Sequence, residues 1–142
     1  MTLLLVAAAL YLTEAFHFIN ASALRQDEQT NFPQGAMAYM QTHHLPQRTF
    51  TAYAWGGYLL WKGYPTYRDF IDGRANTLFD SRILRDYLTA VDVTSGWQSV
   101  LKRYRVQNVL VPPTSSLAQA LALDTGWRRV YRDSTAVLYT VR

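Results

Sequence analysis

Cysteine is absent from this chain of 142 residues. The absence excludes disulfide bonds, thiolate metal sites and cysteine nucleophiles. It leaves the cellular compartment open, because extracytoplasmic bacterial domains often lack cysteine as well. At this length we expect one principal domain with a substantial core.

Long hydrophobic runs are also scarce. Residues 1–12 (MTLLLVAAALYL) are mostly apolar, but Thr13 and Glu14 interrupt them, and a spanning helix needs about 20 apolar residues. No basic residue precedes Arg25, so the start does not resemble a secretory signal. We interpret residues 1–19 as the end of a transmembrane helix with an extracytoplasmic exit; the alternative is an apolar helix docked on the domain.

The charge is modest and scattered. The formal net charge is +4, and no run of basic residues is longer than two, whereas nucleic-acid-binding proteins concentrate basic residues on one face. We therefore expect no nucleic-acid partner, although a weak attraction to anionic lipid headgroups fits this charge. Aromatic residues make up 14% of the chain, which suits either a tyrosine-rich core or a surface that is partly apolar and partly wet.

Helical and strand patterns alternate after a polar linker over residues 20–31. Helices are predicted from Phe32 to before Pro46, around residues 59–63, over residues 83–91 after a cap at Asp80 or Ser81, over residues 97–104, and after Ser115. Strands are predicted at residues 48–52, 65–71, 106–111, 127–132 and 135–141. The pattern predicts a single α/β domain over residues 32–142, with a mixed, mostly parallel sheet flanked by helices and a C-terminal antiparallel hairpin.

Ligands of open α/β sheets bind beyond the carboxyl ends of the strands. Three segments should meet there: residues 53–57 after the first strand, residues 72–74 after the second and residues 112–114 after the third. The candidate ligand-binding residues are Tyr53, Trp55, Gly56, Gly57, Asp72 and Arg74.

These residue types suit a sugar or an anion. Tyr53 and Trp55 offer rings for stacking, Asp72 accepts hydrogen bonds from hydroxyl groups, and Arg74 binds phosphate or carboxylate. A structural alternative stays open, in which Asp72 and Arg74 pair within a turn, Trp55 belongs to the core and the glycines serve packing.

A catalytic apparatus is not recognisable. The Trp-Gly-Gly turn lacks the spacing of a dinucleotide or phosphate-binding loop, and no serine lies in a G-x-S-x-G elbow. His43 and His44 are adjacent and do not share a helix face, so we expect no metal site. We predict no catalytic residue, no cofactor and no metal, which leaves little support for an enzyme complete in itself.

The motifs AYAWGGYLLW, DFIDGR, VQNVLVP and GWRRVYRDSTAVLY together resemble the C-terminal extracytoplasmic domain of bacterial multi-spanning GT-C-type membrane glycosyltransferases, the polyprenyl-phosphate-sugar-dependent, mannosyltransferase-like group. The resemblance covers residues 32–142. In that family the catalytic acidic residues lie in loops between early transmembrane helices, which this chain does not contain. The resemblance therefore implies a non-catalytic domain, held at the bacterial cell membrane with its soluble part outside the cytoplasm.

Two functions follow as hypotheses. In the first, the domain recognises a glycan acceptor or a polyprenyl-phosphate sugar and packs against the membrane or the transmembrane part of the same protein. In the second, it is a structural or interaction module that anchors or regulates a membrane partner.

Overall fold

A computed structural model describes Glu28, residues 30–71 and residues 81–142. The chain divides into two compact units, Met1–Phe32 and Pro33–Arg142. The apolar helix predicted over residues 1–19 lies outside the described residues. So do two of the predicted site residues, Asp72 and Arg74. Within the linker predicted over residues 20–31, the backbone at Glu28, Thr30 and Asn31 is helical.

The second unit is a mixed α/β domain, as the sequence predicts. Its α-helices are α1 (Gln34–Thr42), α2 (Gly56–Gly63), α3 (Ser81–Val91), α4 (Trp97–Arg103) and α5 (Ser116–Leu123), and a 3-10 helix (Tyr53–Trp55) precedes α2. Its strands are β1 (Arg48–Thr51), β2 (Arg68–Asp69), β3 (Asn108–Val111), β4 (Trp127–Arg132) and β5 (Val137–Val141).

The five strands form one sheet in the order β2-β1-β3-β5-β4. The pairs β1–β2 and β1–β3 are parallel, whereas β3–β5 and β4–β5 are antiparallel. The parallel strands β2, β1 and β3 therefore form one side of the sheet, and the predicted C-terminal hairpin of β4 and β5 forms the other. The predicted second strand, residues 65–71, is shortened to the two residues of β2.

Alternation along the strands divides the core into two layers. Phe50, Val109 and Tyr139 face α3, α4 and α5 within one apolar cluster. Thr51, Leu110 and Leu138 are the opposite-facing neighbours of these residues, and they are buried as well. All four residues of β3 are buried, as expected for a central strand covered on both faces.

The helix boundaries have local causes. Ser115 begins α5, because its Oγ accepts a hydrogen bond from the backbone N–H of Ala118 at 3.2 Å. The sequence predicts this cap. It predicts Thr94 or Ser95 as the cap of α4, but the residue there is Gly96, with a left-handed φ of 89° that glycine adopts at little cost.

Candidate functional site

The first candidate region is the carboxyl edge of the parallel strands. Thr51 pairs with Leu110, and the N–H of Ala52 donates to the carbonyl of Leu110 at 3.1 Å. The segments that follow β1 and β3 therefore leave the sheet side by side. The chain runs from β1 to β2 on one side and crosses to β3 on the other, so this edge holds the topological switch point at which α/β folds commonly bind ligands.

Tyr53 is held at this edge by its backbone. Its N–H donates to the hydroxyl of Tyr87 at 2.7 Å, and its side chain is 39% exposed. Burial raises the pKa of Tyr87 to about 12, although the bond from Tyr53 acts in the opposite direction. The Tyr87 ring stacks on Phe50 with centroids 5.1 Å apart. The position of Tyr53 therefore depends on a buried tyrosine of α3.

Trp55 and the two glycines have different environments. Trp55 is only 6% exposed, so its ring packs inside the domain, which supports the structural alternative for this residue. Gly56 adopts right-handed helical angles, φ −57° and ψ −47°, and starts α2 instead of forming a glycine-specific turn. Gly57 is exposed, and a Cβ added there would meet no atom within 4 Å.

A second candidate region lies at the opposite, amino edge of the parallel strands. A cleft of ≈ 500 Å³ opens there between the ends of α1 and α2, within the range of roughly 300–1,000 Å³ that is common for ligand sites. Its walls carry amide, hydroxyl and aromatic groups from Gln41, Gln47, Tyr64 and Thr66, together with the ammonium-bearing Lys62. We call it the amide cleft.

One exposed aromatic ring, that of Tyr64, lines the amide cleft, and a second, that of Trp61, is exposed on α2. Tyr64 is 78% exposed and Trp61 is 69% exposed. The Lys62 ammonium lies 3.7 Å from the centroid of the Trp61 ring, which is cation–π geometry. Gln41 Nε2 donates to the carbonyl of Lys62 at 3.0 Å and so ties the end of α1 to α2. Rings beside neutral hydrogen-bonding groups suit a hydroxyl-rich ligand such as a sugar.

A third region is a smaller cleft of ≈ 220 Å³ beside the edge strand β2. Arg48 and Arg68 stand at its rim, and Phe70, Ile83 and Tyr104 contribute apolar wall. We call it the arginine cleft. Burial and a bond to Asp86 raise the pKa of the Tyr104 hydroxyl, which donates to Asp86 Oδ2 at 2.8 Å.

No sequence pattern pointed to the amide cleft or to the arginine cleft. Both clefts are formed by residues near the amino ends of strands, whereas ligands of open α/β sheets are expected beyond the carboxyl ends. One signal was present, since Arg48 and Arg68 both lie in the two strands, residues 48–52 and 65–71, that the sequence places next to each other in chain order. Across the described residues, no group of three or more His, Asp and Glu side chains is placed to hold a metal ion. Within the same residues, no helix is long and apolar enough to span a membrane.

Comparisons with known proteins support the fold. No protein-family model matches the chain, and the search of curated proteins gives no match. Among solved structures, the chain is similar to the C-terminal globular domain of an oligosaccharyltransferase from Archaeoglobus fulgidus. The TM-score is 0.56 at 10% identity, over 77% of this chain and 95% of that domain. At this identity the similarity is one of fold.

Proposed function

We propose that this chain is a non-catalytic extracytoplasmic domain of a bacterial GT-C-like membrane glycosyltransferase, and that it recognises a glycan acceptor or a lipid-linked sugar. The observation that carries the proposal is the fold, which matches nearly the whole length of the C-terminal globular domain of an oligosaccharyltransferase. The sequence motifs resemble the same class of protein.

The amide cleft is the best place for the sugar. Tyr64 provides an exposed ring in its lining, and Gln41 and Gln47 provide amides that both donate and accept hydrogen bonds. The ends of α1 and α2 meet at this cleft, and a helix C-terminus carries partial negative charge. A ligand that donates hydroxyl hydrogens fits such a wall, which also carries the Lys62 ammonium.

Two measurements on the 142-residue chain test the proposal. The chain should transfer no sugar from a polyprenyl-phosphate sugar, and turnover by the chain alone would refute the non-catalytic assignment. In saturation-transfer NMR with a mannose oligosaccharide, the wild-type chain should bind and Tyr64→Ala should lose most of the signal. Leu123→Ala is the matched control, because Leu123 is 88% exposed and does not line the amide cleft. Equal loss in both variants would rule out this site.

The alternative function is a structural or interaction module for a membrane partner. The buried Trp55 and the helical Gly56 favour a packing role for the segment at the carboxyl edge. Asp72→Ala and Arg74→Ala, made separately in the full-length protein, distinguish the two functions. Lower thermal stability without a specific loss of activity supports the structural role, and lost activity in a folded protein supports recognition.

A further inference from the structure

Arg48 and Arg68 are directly opposite each other. They are a registered pair of the parallel strands β1 and β2, so their side chains leave the same face of the sheet about 4.8 Å apart at the backbone. Like charges in this position destabilise a sheet. Repulsion between the two guanidinium groups therefore lowers the stability of the fold, and a bound anion would offset that repulsion.

The guanidinium of Arg68 is available. It makes no hydrogen bond or ion pair with any residue that the structure describes. Arg48 Nη1 donates to the carbonyl of Tyr104 at 3.4 Å, a long bond that leaves its other N–H groups to a ligand.

The neighbouring carboxylates are already engaged. Asp86 Oδ2 accepts bonds from Arg103 Nη1 at 3.0 Å and from the Tyr104 hydroxyl. Asp69 also lines the arginine cleft, but its Oδ1 accepts from Thr51 Oγ1 at 2.7 Å and from the N–H of Phe70 at 2.8 Å. These bonds hold the Asp69 carboxylate in place without neutralising it, but two arginines against one carboxylate leave the lining of the cleft with a net positive charge.

The wall of the arginine cleft is apolar and consists largely of packed rings. The Phe70 ring packs edge-on against Tyr104 with centroids 4.6 Å apart, and it lies 5.2 Å from the Phe50 ring of the core. Ile83 of α3 completes this wall. At ≈ 220 Å³ the cleft is smaller than a typical site for a whole drug-sized ligand, so it fits a charged group and the first apolar atoms attached to it.

We propose that Arg48 and Arg68 bind the phosphate of a phosphate monoester, with the apolar part of the ester against Phe70, Ile83 and Tyr104. Two guanidinium forks match phosphate oxygens in charge and geometry. The phosphate belongs either to a free ester or to a lipid headgroup, and the chemistry at the arginines is the same. This site is separate from the amide cleft and does not rest on the proposed function.

Titration of the 142-residue chain with phenyl phosphate, followed by NMR of the arginine Nε–Hε groups, tests the proposal directly. The signals of Arg48 and Arg68 should shift together. Arg68→Gln should weaken binding by about tenfold or more, and Arg68→Lys should weaken it in part because lysine lacks the fork. Arg128→Gln is the matched control, since it removes the same charge from exposed β4 outside the cleft, and it should change affinity by less than about twofold.

A second experiment distinguishes a free phosphate ester from a lipid headgroup as the ligand. Sedimentation is measured with phosphatidylcholine vesicles with and without phosphatidic acid, which carries a phosphate monoester. Binding in solution that Arg68→Gln removes supports a free ester, and binding only to phosphatidic acid vesicles that Arg68→Gln removes supports a lipid headgroup. Absence of binding in both arms overturns the proposal. So does equal weakening by Arg128→Gln, or phenyl phosphate binding during which the Arg68 signal does not move.

Discussion

The hydroxyl of Tyr131 lies so close over Gly35 that a Cβ on Gly35 would overlap it. The same hydroxyl donates to Asp133 Oδ2 at 2.7 Å. Helix α1 therefore reaches β4 through a residue without a side chain, and the contact passes directly to the turn of the C-terminal hairpin.

Gly35→Ala should lower the free energy of unfolding by about 1–3 kcal/mol, because the new methyl group overpacks this contact and displaces Tyr131 from Asp133. Chemical denaturation measures the change. Gly57→Ala is the comparison, since both glycines are helical. Equal effects of the two variants would contradict the importance of the contact with Tyr131.

Gly57→Ala should itself raise the free energy of unfolding by about 0.5–1 kcal/mol, because alanine is the better helix former and open space surrounds the new methyl group. The variant also tests Gly57 as a ligand-binding residue. If a ligand approaches the backbone here, the full-length protein should lose activity although the domain is more stable. Unchanged activity would assign no binding role to Gly57.

Tyr87→Phe should cost about 0.5–1.5 kcal/mol, because the partly buried N–H of Tyr53 loses the hydroxyl that accepts its hydrogen bond. The shape of the ring and its stacking on Phe50 are kept. Thermal or urea unfolding near pH 7 measures the loss. Tyr64→Phe removes an exposed hydroxyl and is the control, and it should change stability by less than about 0.5 kcal/mol.

Tyr87 should also make the fold sensitive to alkali. Its pKa is raised from 10 to about 12, chiefly by burial, so the neutral hydroxyl is favoured in the folded state. The contribution of the neutral Tyr87 hydroxyl to the free energy of unfolding is complete below pH 10 and is lost as the pH rises towards 12. The stability difference between wild type and Tyr87→Phe should therefore shrink over this range. A difference that stays constant would contradict the assignment.

Asp133 should contribute to stability above its unfolded pKa. Burial raises the pKa of this carboxyl, but bonds from the N–H groups of Ala136 and Thr135 and from the Tyr131 hydroxyl together outweigh burial and lower it. A lowered pKa gives stability that is present above pH about 3.9 and lost as the pH falls through the folded value.

Asp133→Asn should therefore cost about 1 kcal/mol at pH 7, and the difference from wild type should narrow as the pH falls from 5 to 2. The free energy of unfolding of both proteins, measured from pH 5 to pH 2, checks this expectation. Asp92→Asn, at an exposed site, is the control. A variant as stable as wild type at pH 7 would show that the bonds of Asp133 contribute nothing.

The sequence predicts the fold class because its signals are local. The apolar run at β3, the serine cap of α5 and the C-terminal hairpin each depend on signals within a few residues, and the structure contains all three. The short β2 differs from the prediction because only Arg68 and Asp69 pair with β1. Propensity over residues 65–71 does not report how far a neighbouring strand extends.

The candidate site is less predictable, since it depends on which face each residue occupies. Tyr53 and Trp55 are two residues apart and similar in chemistry, yet one is partly exposed and the other buried. The exposure of the two side chains differs because the 3-10 helix and α2 begin directly after β1 and turn Trp55 towards the interior.

From its composition and periodicity alone, this chain determines an α/β domain with a hairpin at its end, without cysteine chemistry and with an aromatic, glycine-containing segment at the switch point of its sheet. The tertiary structure alone decides that Trp55 packs inside, that Tyr64 stands beside the amide cleft and that Arg48 faces Arg68. The physical reason is that burial and charge pairing depend on strand register and helix docking, which join residues far apart in the chain.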